Sequence, residues 1–471
     1  MERHNHKHTN RFNSRAVFAV IMGLGILSAA IYWIHFKIYD LIPVFSRLSG
    51  IQLYVVVFLF LSMLYLTAVF VVIKMMPTGE ASWRLTGIII FLAIIFRLGL
   101  IASDPAVLSK DMYRYIWDGR VQQNGINPYL HPPEALELEN LRDDQIFPNI
   151  NRKDYPTLYP AGAQIFFRIF YMLVGDSVTG YKSIMVFFDM LTLLVLAALL
   201  QTWKINLSRI IVYAWNPLVI FEIAYSGHLE GLTVFLMVAA LYLSAIHKKI
   251  PAIIMLALSA AVKMYPALLI AAFLNRGDRM KGIITFSATL MLLYLPFIGA
   301  GGKISGFLPV YLKNPHESFN LGLKYLLMRL IPGLDYYLLS LLFIIALAIA
   351  AVIVFLKEKK DAEGFRYAYI LTGLLMVLMP ASLHPWYVIL IIPFLTIYPS
   401  PAWLIFTLTV TLSYLKYTSP QGMMPAWVLL AEYLPLFALL TAGYILRKYI
   451  HRHRIFGMDF SRKKEEMAQV Q

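Results

Sequence analysis

The chain has 471 residues, 59% of them hydrophobic and 14% charged, and its mean hydropathy of +0.67 is too high for a soluble domain of this length. Its formal net charge of +15 comes without a nucleic-acid motif or a basic face interleaved with aromatic rings, so nucleic acid is set aside as a partner and the cations are read as flanks of membrane spans. Cysteine is absent, which excludes disulfides, thiolate metal sites and a cysteine nucleophile.

Residues 1–15 are polar, basic and rich in His, and read as a solvated cytoplasmic tail ahead of a retained first helix. Long apolar runs follow, each near the roughly twenty residues that cross a bilayer. Spans are expected at 16–36, 51–73, 85–102, 180–201, 209–225, 228–246, 250–262, 265–274, 281–299, 335–356, 366–380, 384–398, 401–418 and 425–446. The fold class is therefore an all-α polytopic membrane protein with about 13–14 membrane helices. The domain reading is 1–102 for the tail and first three spans, 103–179 for a large loop, 180–446 for the other spans, and 447–471 for a charged, mobile cytoplasmic tail.

Two segments decide the topology. Ala161–Val174 is short and contains Arg168, and 251–274 is interrupted at Lys263-Met-Tyr-Pro266. If the first does not cross and the second is a hairpin, Lys74, Arg84, Lys204, Arg209, Lys248, Lys249, Arg276, Arg279, Lys281, Lys357, Lys359 and Lys360 all face the cytoplasm. The loop, Gly227-His228, Lys263, His316-Glu317 and His384 then converge on the extracytoplasmic side. No internal repeat is evident, which argues against the duplicated design common in secondary transporters.

The loop from Ser109 to Pro160 holds the densest set of chemical groups. Ser109 reads as an N-cap, Lys110 to Gln123 as a helix, and Asn124-Gly125 as its stop. Asp111, Arg114, Tyr115 and Asp118 fall at i, i+3, i+4 and i+7 and share one helix face. Asp111 sits in the first turn, where the helix dipole favours the ionised carboxylate that a general base must be. The same face also reads as a plain ion-pair ladder of Asp118 with Arg114 and Arg120. The Asn127-Pro-Tyr129, Asp154-Tyr-Pro156 and Leu158-Tyr-Pro160 triplets read equally as a loop pinned at the membrane surface or as an aromatic platform for sugar.

Elsewhere, Lys263 at a helix break has the chemistry to hold a phosphate, although a snorkelling Lys is its bland reading. Tyr225-Ser-Gly-His-Leu-Glu230 is a polar turn between apolar spans, and His228 and Glu230 are candidates to bind hydroxyls. Arg97 and Asp189 lie at comparable depth in neighbouring spans, and a buried pair that fixes helix packing is expected. Arg97 facing a phosphate is the alternative. His384 and Trp386 fit either an interfacial anchor or an acceptor pocket. His228, Glu230 and Asp111 are metal-type donors, but no His-x-x-x-His spacing supports a site, so no cofactor is expected.

The string Asp111-Met-Tyr-Arg-Tyr-Ile-Trp-Asp-Gly-Arg-Val121, with Gly125-Ile-Asn-Pro-Tyr129 and Tyr155-Pro-Thr-Leu-Tyr-Pro160, resembles the GT-C superfamily of polyprenyl-phosphate-sugar-dependent glycosyltransferases. Within it the resemblance is to bacterial mannosyltransferase-like members, the GT87-like and polyprenol-phosphomannose-dependent groups. The likeness is strong over 109–160 and diffuse elsewhere. It implies a GT-C-type fold whose large first extracytoplasmic loop carries short juxtamembrane helices. It also implies inverting transfer of a sugar, mannose above all, from a polyprenyl-phosphate donor to a glycan or glycolipid acceptor. The setting implied is the outer, periplasmic face of a bacterial-type cytoplasmic membrane. Asp111 would be the base, Lys263 with Arg114 or Arg97 would hold the donor phosphate, and Asp118, Tyr115, Tyr159, His228, Glu230 and His384 would contact sugar or acceptor. An envelope-polysaccharide polymerase or ligase, and a lipid-linked glycan transporter, are the other readings of such a chain.

Overall fold

The protein is described here from a computed structural model covering residues 14–34, 48–75, 80–103, 108–306, 308, 319–419 and 422–455. The His-rich N-terminus, His316-Glu317 and the end of the charged tail lie outside the described residues. Among the described residues every regular element is helical and there is no strand. Seven helices among the described residues are long and apolar enough to cross a membrane: Arg15–Ile34, Gly50–Met75, Ser82–Ile101, Val178–Thr202, Arg279–Ser305, Tyr336–Leu356 and Ala426–Leu446. The chain is thus an all-α polytopic membrane protein.

The remaining expected spans are shorter or broken. The 209–225 span is a bent pair, Leu207–Ala214 and Pro217–Tyr225, at 58° to each other. The 384–398 span is a 3-10 turn, Pro385–Ile391, running into Ile392–Leu395, and 401–418 is Pro401–Thr409 continued by the 3-10 segment Val410–Thr418. The reason lies in what surrounds them. Hydrocarbon tolerates irregular backbone only where protein covers it, and 207–225 and 385–395 are buried almost throughout. By contrast the regular helix Tyr336–Leu356 has only 22% of its best apolar stretch buried, and Arg279–Ser305, an α-helix to Tyr294 continued by a 3-10 segment, only 17%. The last helix runs to Ile455, past the end expected near residue 446.

Both ambiguous segments resolve. Ala161–Val174 is a 14-residue helix, about 21 Å long at 1.5 Å per residue, which is short of a bilayer core. The helix Lys249–Val262 ends at Lys263, whose backbone is extended (φ −139°, ψ 133°), and a 3-10 turn at Tyr265–Leu269 leads into Ile270–Phe273. Lys249 at the start of this segment pairs with Asp278 just beyond its end. The segment therefore returns to the end of the bundle where it began and is a hairpin.

The basic connections gather at that end. Asn275 Nδ2 donates to the Lys359 carbonyl at 2.7 Å, Arg279 donates to the carbonyls of Phe355 and Lys357, and Trp203 packs edge-on against Phe365. Arg209 reaches the Ile397 carbonyl, and Ser82 bonds Asn206 at 2.6 Å. The large loop, the Lys263 break and the turn before Pro385 lie at the opposite end.

Arg97 and Asp189 form the expected ion pair, both fully buried. Arg97 also donates to the carbonyls of Ala93 and Ala214, and Tyr213 donates to Asp189 at 2.7 Å. This pair joins Glu80–Ile101, Val178–Thr202 and the bent pair. Removing one partner strands a buried charge, whereas an apolar pair of similar volume does not. We expect Arg97→Leu to cost about 3–5 kcal/mol of stability, and Arg97→Met with Asp189→Leu to regain much of it, measured by thermal unfolding in detergent.

Lys324, on the short helix Leu323–Leu330 outside the long helices, is buried and donates to the carbonyls of Pro380 and Ala381 and to Ser340. It thereby ties down the turn that leads to His384. Burial lowers its pKa from 10.5 to about 7. The unfolded chain therefore binds more protons than the folded one between those values, and stability falls as pH falls from 10.5 through 7. Lys324→Met should remove that component, so the difference in melting temperature between variant and wild type should change across pH 7 to 10.5.

Candidate active site

The site is built on the helix Asp111–Gln123, which begins one residue after the expected start. Lys110 is the residue at its N-terminal boundary, and the Ser109 hydroxyl accepts the Asp111 amide from one position earlier. Asn124 and Gly125, the latter at φ 76°, end it as expected. The helix lies against Ala161–Val174 with Gly119 at the closest approach, where a Cβ would come within 2.6 Å of the Phe167 carbonyl. Met112 on the same helix touches Gly227 (φ 70°), so the 225–230 turn sits beside the loop helix.

The shared face docks point by point onto the 151–157 segment. Asn151 Nδ2 donates to Asp111 Oδ1 at 2.7 Å. Arg114 Nε donates to Asp118 Oδ1 at 2.8 Å, and its Nη1 donates to the carbonyls of Arg152 and Tyr155. The Thr157 hydroxyl and Gln164 amide donate to Asp118 Oδ2 at 2.5 and 2.8 Å. The face is an ion-pair ladder at its inner rungs and opens to a cavity at its first.

Arg120 is not part of that ladder. It lies two residues beyond Asp118 and so faces another way, and pairs with Asp143 and Asp176. Burial alone would raise the Asp143 carboxyl, but Arg120 and the amides of Ile146 and Phe147 outweigh it and hold its pKa below the usual range. This pins the far side of the loop.

A cavity of about 570 Å³ opens beside Asp111. Its wall comes from the loop (Ser109 to Arg114, Asn151 to Pro160), from the hairpin break (Val262 to Tyr265), and from Phe319, His384, Trp386, Tyr387, Lys416 and Tyr417. Asp111 is the one carboxylate among the described residues of the wall, which it shares with the cations Lys110, Arg114, Arg152, Lys263 and Lys416. Ile51, Leu108, Val262 and Met264 give the cavity an apolar side.

Of the other sequence candidates, Lys263 lines the cavity, donates to Glu230 Oε1 at 2.5 Å and stands 5.2 Å over the Tyr387 ring. Glu230 is fully buried behind it, and its second oxygen has no hydrogen-bond partner. His384 and Tyr159 are wall residues. His228 is fully buried and reaches the wall only through a stack of rings, His228 on Trp386 at 4.1 Å and Trp386 on His384 at 4.4 Å. His228 Nδ1 lies 2.9 Å from Glu222 Oε2, at an angle outside hydrogen-bonding geometry. Glu222 sits in a π-turn, Phe221–Tyr225, and accepts from Tyr414 at 2.7 Å. Tyr115 is buried beneath the wall, stacked on Phe167 and edge-on to Tyr159. Burial holds the phenols of Tyr115 and Tyr159 well above the usual tyrosine range, so both stay protonated.

Asp118 and Arg97 stand apart from the cavity, because each is fully enclosed: Asp118 is held by Arg114, Thr157 and Gln164, and Arg97 by Asp189 and the Ala93 and Ala214 carbonyls, with its Nη2 left unpartnered. Arg114 forms part of the wall, but its guanidinium already serves Asp118 and two carbonyls. Asn151, Arg152, Lys110 and Lys416 enter the wall without having been singled out in the sequence. Lys416, a solitary cation near the end of an apolar run, carries the signal of an intramembrane charge. A single Asn in a polar loop carries none. Among the described residues no group of three or more His, Cys, Asp or Glu could hold a metal ion, and Asp111, His228 and Glu230 do not form one.

A carboxylate facing several cations across a half-apolar cavity suits the removal of a proton from one substrate while another releases an anion. No curated protein and no solved structure matches the chain. The family model for the N-terminal domain of alpha-(1->6)-mannopyranosyltransferases, the MptA_B family, matches residues 14–275, more than half of the chain and all of the loop, the 225–230 turn and the Lys263 break. The chain belongs to this family of mannosyltransferases.

Proposed function

We propose that the protein is an inverting GT-C-type mannosyltransferase that takes mannose from a polyprenyl-phosphate donor. The observation that carries this reading is Asp111, the single carboxylate among the described wall residues, sharing one cavity with Lys263, Arg152 and Lys416. The acceptor is a glycan or glycolipid, and the family name points to a 6-hydroxyl as the attacking group. Asp111 accepts the proton of that hydroxyl as its oxygen bonds to the anomeric carbon. The bond from that carbon to the phosphate oxygen breaks, and its electron pair leaves with polyprenyl phosphate. The leaving phosphate gains charge in this step, so cations on its side of the cavity favour the transition state. Lys263 has this role, with Arg152 and Lys416 beside it. The apolar side at Ile51, Leu108, Val262 and Met264 suits the first units of the prenyl chain.

His384, Tyr159 and Trp386 supply ring faces and polar edges for the sugar, while Glu230, His228 and Tyr115 support the wall from behind. Arg97 and Asp118 have no part in binding in this reading, since both are enclosed away from the cavity wall. No cofactor is invoked. The gathering of the basic connections at one end supports placing that end in the cytoplasm, by the positive-inside rule. The cavity then opens on the outer face of a bacterial-type cytoplasmic membrane.

In a purified-protein assay with polyprenyl-phosphomannose and mannoside acceptors, wild type should form a new glycosidic bond. Asp111→Asn should lose at least about 100-fold in kcat while keeping its melting temperature. Full activity in a folded Asp111→Asn protein would remove the base assignment, and lipid movement without mannosyl transfer would favour a transporter. A cysteine placed at Glu137, an exposed loop position, should react in intact cells with a membrane-impermeant maleimide. Labelling only after lysis would reverse the orientation.

A further inference from the structure

We infer that Asn151 is a positioning residue for the base. The inference rests on the reading of Asp111 as the group that accepts the acceptor proton. Asn151 and Asp111 are 40 positions apart, both line the cavity, and they are joined by a 2.7 Å hydrogen bond from Asn151 Nδ2 to Asp111 Oδ1. A carboxylate only accepts, so the amide must present its nitrogen there. That dedicates Oδ1 to the protein. Among the described residues no side chain hydrogen-bonds to Oδ2, which is left for the substrate hydroxyl.

The bond is held from both sides. On the helix side, Asp111 is in the first turn, its amide bonded to Ser109. On the loop side, Arg114 grips the carbonyls of Arg152 and Tyr155, and Thr157 is fixed on Asp118. Arg152, directly after Asn151, has φ 52°, a left-handed conformation that non-glycine residues adopt at a cost. That backbone turn, in the cavity wall, presents Asn151 to the helix. The residue type also fits. A Lys or Arg at 151 would tie the carboxylate into an ion pair, and an Asp would repel it. An amide orients it while carrying no charge of its own.

A positioning residue of this kind acts on kcat and leaves donor binding alone. Asn151→Ala should lower kcat by about 10- to 100-fold with the donor KM within about twofold of wild type. Asn151→Leu keeps the approximate shape and the neutrality but removes the donor, and should show a loss of similar size. It also serves as the deciding variant if Asn151→Ala does not fold. Donor binding, followed directly with polyprenyl-phosphomannose, should be unchanged in both. If a folded variant turns over within twofold of wild type, or if the loss appears in KM with kcat preserved, Asn151 does not position the base. Asp111→Asn is measured alongside. An active Asp111→Asn protein overturns the base reading itself, whereas an inactive one beside a fully active Asn151 variant overturns only the positioning role.

Discussion

The ion pair between Arg114 and Asp118 is the interaction on which the cavity depends. It is buried where the loop helix meets the rest of the loop, so neither charge can be left without a partner. Arg114 meets that demand with Asp118 and two loop carbonyls, and Asp118 meets it with Arg114, Thr157 and Gln164. The desolvation of one pair thereby fixes the path of residues 151–157 along a helix some forty positions earlier. Asp111, one turn before Arg114, is the rung of the same face that escapes this closure.

The same rule, that buried polar groups must be paired, shapes the membrane part. Regular helices lie where lipid is the neighbour, because only a helix satisfies its own backbone there. The breaks and 3-10 turns at 207–225 and 385–395 lie where other helices cover them, while the 3-10 segment Leu295–Ser305 is largely exposed. The break at Lys263 and the 3-10 turn after His384 meet at the cavity, joined through Tyr387, which Lys263 overlies. The π-turn that carries Glu222 lies behind them, covered on all sides. Irregular backbone is thus concentrated behind the polar wall.

Much of this was legible in the chain. Hydropathy located the long helices, Lys263-Met-Tyr-Pro266 marked the hairpin, and the comparable depths of Arg97 and Asp189 foretold their pairing. Helical spacing placed Asp111, Arg114 and Asp118 on one face. What spacing left undecided was which rungs of that face serve structure and which serve substrate. Arg114 and Asp118 meet groups 38 to 46 residues away, and no local pattern encodes such partners. Asn151 and Arg152 were missed for the same reason, whereas Lys416 did carry the local mark of a charge in an apolar run. His228 and Glu230 were noticed as polar groups in an apolar setting, but only the packing shows them behind Trp386 and Lys263.

The sequence by itself determined the class of protein, the grouping of the basic connections, the loop as the densest polar stretch and the shared helix face of Asp111, Arg114 and Asp118, because these follow from hydrophobicity, charge and helical period, which are local properties. The tertiary structure alone decided that Asp118 and Arg97 are enclosed, that Lys263, His384 and Lys416 share a wall with Asp111, and that Asn151 holds one of its oxygens. Those outcomes depend on which distant segments exclude water from one another, and burial is a property of the packed chain.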